Sequence, residues 1–181
     1  AKYHGLATHM DGARLLNAAV AQNLPPARLV ESIDTVSLCL SKGLGAPLGS
    51  VLVGPSEVVE RARRLRKMLG GGMRQAGIIA AAGRYALNHH VARLAEDHQR
   101  AQLLASALDG LTDLHFDKAR VQTNMIFLQS PQMSALADYL AERGIAITAV
   151  GEHTRIVLHM DIDDVALQQI IESIQAFFTP H

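Results

Sequence analysis

Cysteine is almost missing from this chain. Cys39 is the only one in 181 residues, which excludes an intrachain disulfide framework and a cysteine-rich zinc module. A reducing, cytoplasmic home is the expectation that follows. Charge of either sign is not in excess, because Lys plus Arg and Asp plus Glu balance at 17 each. No global field therefore favours nucleic acid or an anionic membrane. No apolar run is long enough to span a bilayer, and no charged stretch followed by an apolar one opens the sequence. The chain starts Ala1-Lys2-Tyr3-His4 rather than with methionine, so we expect it to be the latter part of something longer. Aromatic residues make up only 4%. None interleaves the basic run from Arg61 to Lys67, which reads as a solvated helix face rather than a nucleic-acid site.

What is present is a globular core: 49% of the residues are apolar, and the length suits one full domain or one and a half small ones. The most informative stretch runs from Thr35 to Ser50. Val36, Leu38 and Leu40 alternate with Ser37, Cys39 and Ser41, as a strand from Thr35 to Ser41 requires. Lys42 then stands at the strand end, where ligands collect in open α/β sheets. A lysine with its stem packed there, flanked by glycines that let a ligand approach, becomes a nucleophilic amine suited to Schiff-base chemistry. The alternative is a solvated surface lysine at a turn.

Two nucleotide readings of the glycines fail. Gly43, Gly45 and Gly49 lead into the strand-like Val51-Leu52-Val53, whereas a dinucleotide fingerprint must open a helix. A phosphate loop carries its lysine after the glycines, and Lys42 precedes them.

Along the chain, Asp11 falls at the end of a first short strand, before a helix that stops at Asn23-Leu24-Pro25-Pro26. It reads either as a site carboxylate or as a helix N-cap, and Arg14 could simply pair with it. A short helical piece spans Ala27 to Glu31, and the Val51 strand reads as an antiparallel or edge neighbour of the Lys42 strand. Pro55-Ser56-Glu57 starts a helix on which Val58, Val59, Ala62, Leu65 and Met68 form a stripe expected to be buried. Gly70-Gly71-Gly72-Met73-Arg74 breaks that helix. Its glycines and arginine suit an anion at the next helix N-terminus, or merely a flexible loop.

Helices are predicted over Ala76 to His90 and Val91 to Leu111, with a bend at Asn88-His89-His90. Strands at Val121 to Gln129, Ile145 to Val150 and Thr154 to Met160, with helices at Gln132 to Arg143 and Asp163 to Phe178, describe a small α+β domain. In its last strand Ile156, Leu158 and Met160 face the core, leaving His153, Arg155 and His159 on the other side. No carboxylate lies at a matching spacing, so an anion-binding Arg155 is the preferred reading and no metal is expected.

Together, His9-Met10-Asp11-Gly12-Ala13-Arg14, Ser37-Leu38-Cys39-Leu40-Ser41-Lys42-Gly43-Leu44-Gly45 and Arg66-Lys67-Met68-Leu69-Gly70-Gly71-Gly72-Met73-Arg74-Gln75 closely resemble the low-specificity L-threonine aldolases. These are fold-type I enzymes dependent on pyridoxal 5'-phosphate (PLP). The resemblance implies an α/β fold. Residues 1–92 would be the latter part of the PLP-binding, transferase-like large domain, and residues 93–181 the small C-terminal α+β domain. It further implies that Lys42 forms the Schiff base with PLP, that Asp11 holds the protonated ring nitrogen, and that Arg14 lies near cofactor and substrate carboxylate. Arg155 resembles the arginine that grips the substrate carboxylate. Lys67 and Arg74 resemble residues that reach a neighbouring subunit's site, Arg74 at the PLP phosphate, which implies a homo-oligomer, dimer or tetramer.

The implied reaction splits a β-hydroxy-α-amino acid, threonine or allo-threonine, into glycine and an aldehyde. The family's N-terminal half has no counterpart in this sequence. With it go the ring-stacking histidine, the glycine-rich phosphate loop and the histidine near the substrate hydroxyl, and neither His4 nor His9 takes their place. The chain is therefore expected to hold only part of the site. A β-eliminating lyase or an aminotransferase would also use Asp11 and Lys42, and a cofactor-free assembly module is the alternative from another class.

Overall fold

The computed structural model describes residues 1–179, which form two compact units, one over Ala1–Arg93 and one from Leu94 onward. In the first, β1 (His9–Asp11), β2 (Thr35–Cys39) and β3 (Ser50–Val53) make a sheet in the order β1-β2-β3. β1 runs parallel to β2, opposing Asp11 to Ser37, and β3 runs antiparallel to β2, opposing Ser50 to Cys39. The parallel pair is joined by α1 (Leu15–Gln22) and α2 (Pro26–Leu29). β3 is thus both an antiparallel neighbour and an edge.

The first strand is tied down chemically. Thr8 donates its N–H (2.7 Å) and its hydroxyl (2.9 Å) to Asp34 Oδ2, and these bonds hold the Asp34 carboxyl below its ordinary range. Gly12 is required where β1 turns into α1. Its N–H donates to Ser37 O at 2.8 Å, and a Cβ there would lie 2.7 Å from Val36 Cγ1 and 2.9 Å from Ser37 O.

Two expectations fail in this unit. β2 ends at Cys39, two residues before Ser41, because Leu40 and Ser41 already belong to the loop that returns to β3. α3 (Ser56–Met68) is amphipathic, yet it buries no residue. Leu65 is 47% and Met68 70% exposed, and only Val59 and Ala62 of the expected stripe are half-buried. The 3.6-residue spacing says which face is apolar; it cannot supply a neighbour to cover that face. α4 (Gly77–His89) follows and buries Gly83 and Ala86.

The second unit holds β4 (Met125–Gln129), β5 (Ala149–Val150) and β6 (His153–Val157) in the antiparallel order β4-β6-β5. α5 (Leu94–Leu108), α6 (Met133–Ala141) and α7 (Asp164–Phe178) close one face of it. Leu104, Ile126, Leu136 and Ile174 are fully enclosed. The expected alternation holds on β6: Thr154 and Ile156 are buried, while His153 and Arg155 are exposed. β5 is shorter than the run from Ile145 because residues 145–148 join no ladder. α5 starts at Leu94, since the chain turns at residues 90–93 instead of bending within a helix.

Candidate active site

Lys42 stands in the loop between β2 and β3. The loop is shaped by Gly45, whose φ is 67° and whose N–H donates to Lys42 O at 2.8 Å. Ala46 N–H donates back to Leu40 O at 3.0 Å. Leu44 and Ala46 are 4% and 7% exposed, so apolar burial anchors the turn while Lys42 itself is exposed. This corrects the expected packed stem: no element of the unit lies over the lysine. Among the described residues the ammonium has neither a hydrogen-bond nor an ion-pair partner.

Asp11 ends β1 on the same sheet face as its register partner Ser37, with Cys39 one pleat further toward Lys42. Its Oδ1 accepts the Ala13 N–H at 3.1 Å. It does not cap the helix, because α1 begins at Leu15 with Arg14 at the N-cap position. The bond leaves Oδ2 free, and Arg14 makes no ion pair with it among the described residues. Arg14, Asn17, Cys39 and Gly43 line one cavity of about 10 Å³, room for about one water. Asp11, Arg14 and the Lys42 loop therefore gather at one end of one sheet.

The other candidates lie elsewhere. Lys67 lies in the last turn of α3, and a Cβ on Gly72 would collide with its stem. Arg74 is exposed in the stretch between Gly70 and α4. Arg155 belongs to the second unit, opposite Phe127 on the open face of that sheet. A groove of about 790 Å³ also lies in that unit, lined by His115, Arg120, Phe127 and His153 but not by Arg155.

Two contacts behind the lysine loop escape a sequence reading that treats Asn88-His89-His90 only as a bend. His90 Nδ1 lies 2.6 Å from Leu44 O, and a Cβ on Gly83 would lie 2.9 Å from Leu40 Cδ1. The signal available was the spacing of Gly83, Ala86 and His90, which share one helix face.

The family model for Beta-eliminating lyase matches residues 1–131. The chain belongs to that family. The chain is similar to low-specificity L-threonine aldolase 1 of Arabidopsis thaliana, 45% identical over 90% of this chain and 47% of that protein. The low specificity L-threonine aldolase of Escherichia coli K12 is 43% identical over 95% and 51%. The chain thus spans about half the length of the curated relatives it matches. Leishmania major threonine aldolase has the same fold, with a TM-score of 0.80 at 19% identity over 98% of this chain and 54% of that one. An SPT structure with a PLP internal aldimine aligns with a TM-score of 0.71 at 18% identity over 97% and 48%. No helix among the described residues is long and apolar enough to cross a membrane.

Proposed function

We propose that this chain is the lysine-bearing portion of a PLP-dependent aldolase that cleaves threonine or allo-threonine to glycine and an aldehyde. One observation carries the reading: a carboxylate with a free oxygen ends β1, and the loop that follows its neighbour β2 carries a lysine amine without a partner among the described residues. The face between them carries only the small side chains of Ser37 and Cys39, which leave room for a flat ring. That donor set fits the cofactor. The threonine aldolases among the relatives support the same reading.

When bound, PLP supplies the electron sink for breaking the Cα–Cβ bond. Lys42 Nζ is the amine that attaches it, and the Asp11 carboxylate keeps a proton on its ring nitrogen. Arg14 adds positive charge beside cofactor and substrate. Arg155 orients the substrate through its carboxylate, using the fork geometry that suits guanidinium to two oxygens. Lys67 and Arg74, on either side of the Gly70-Gly71-Gly72 break, act in a neighbouring subunit's site, with Arg74 at the phosphate, so the working form is a homo-oligomer. The two functional regions correspond to residues 1–92 and 93–181, in a cytoplasmic enzyme.

The family's name gives β-elimination as the second reading, and one experiment separates the two. The protein, in the assembly in which it is isolated, is incubated with PLP, reduced with borohydride and mapped by mass. Threonine turnover is followed as acetaldehyde plus glycine against ammonia. A pyridoxyl group on Lys42 and release of glycine are expected. Exclusive ammonia release removes the aldolase reading, and no adduct on Lys42 removes the cofactor.

A further inference from the structure

The turn that presents Lys42 is gripped from behind at two points. Leu40, two residues before the lysine, abuts Gly83 of α4. Leu44, two residues after it, offers its carbonyl to His90 Nδ1 at 2.6 Å. Gly83 and His90 are seven residues apart, two helical turns, with Ala86 between them at 1% exposure. One face at the C-terminal end of α4 therefore meets both flanks of the lysine.

A carbonyl only accepts, so His90 carries its proton on Nδ1. Tyr85 meets the His90 ring edge-on, with centroids 5.4 Å apart at 83°, and thereby holds its orientation.

We propose that His90 is a positioning residue for Lys42: its Nδ1–H bond to Leu44 O fixes the turn so that Nζ is presented to the cofactor. This rests on the reading that Lys42 carries PLP. The hydrogen bond acts through the backbone. Losing it frees the Leu44 carbonyl and the adjoining Gly45 and Ala46 amides, which close the turn on Lys42 O and Leu40 O.

The test compares wild type, His90→Ala and His90→Asn, the last retaining an N–H that can reach a carbonyl. Two quantities are read: hydrogen exchange at the Gly45 and Ala46 amides without cofactor, and the PLP dependence of borohydride-trapped adduct on Lys42. In His90→Ala the two amides should exchange faster and trapping should need about tenfold more PLP, the scale of one hydrogen bond. His90→Asn should recover a good part of both.

Unchanged exchange and trapping in His90→Ala overturn the role. So does equal impairment of both variants, or faster exchange along all of α4 with a lowered melting temperature, which marks a plain helix-end defect. If wild type traps no PLP at Lys42, the functional reading falls and this role with it. If wild type traps normally and His90→Ala does too, this role falls alone.

Discussion

At the scale of single residues, glycines that look alike in sequence have different costs of replacement. At Gly12 a new Cβ meets the stiff, branched Val36 and the Ser37 carbonyl, neither of which can swing away. Gly12→Ala should destabilise by about 1–3 kcal/mol, read as a lower urea midpoint. At Gly83 the new Cβ meets only the tip of Leu40, and alanine gains up to about 1 kcal/mol of helix propensity. Gly83→Ala should therefore be close to neutral.

Burial lowers the pKa of His98 from the ordinary 6.5, with Asp97 opposing the shift. The folded chain therefore takes up this proton at lower pH than the unfolded chain, which titrates through 6.5. Stability is then lost progressively below that pH, and urea titrations of His98→Gln should show a flatter slope there. Asp34 works at the acid end. Thr8 lowers its pKa from 3.8, so its contribution is present above 3.8 and disappears as pH falls through the lower folded value. Asp34→Asn should remove that acid-side dependence.

At the scale of elements, α7 and α3 are both amphipathic and differ in what surrounds them. α7 is entered through Asp163, whose Oδ1 accepts the Ala166 N–H at 2.8 Å, and is tied to α5 by the 2.8 Å bond from Arg100 to Asp164. Asp163→Ala should cost about 1 kcal/mol, measurable by denaturant unfolding. Leu136→Ala on α6, at a fully enclosed position, should cost about 2–5 kcal/mol. Leu65→Ala on α3, where the side chain is half exposed, should cost well under that in the same assay. Such a contrast would locate the stability of this chain in packed faces rather than in helical periodicity.

At the scale of the whole molecule, the proposed roles divide by unit and so do their signatures. Arg155→Ala should leave PLP trapping on Lys42 intact and raise KM for threonine about tenfold or more, as expected for loss of a charged hydrogen bond to substrate. Lys42→Ala should abolish trapping altogether. Steady-state kinetics beside adduct mapping separates the two.

What depends on residues a few positions apart could be read without coordinates. The alternation in β6 was legible in the sequence, as was the placing of Asp11 at the end of a strand, because the pleat repeats every two residues. Only the packed chain shows that Lys42 is uncovered, that the α3 stripe is exposed, and that His90 reaches Leu44 across 46 residues. Burial and hydrogen bonding at those points are set by atoms remote along the chain, and no local pattern encodes which of them arrive.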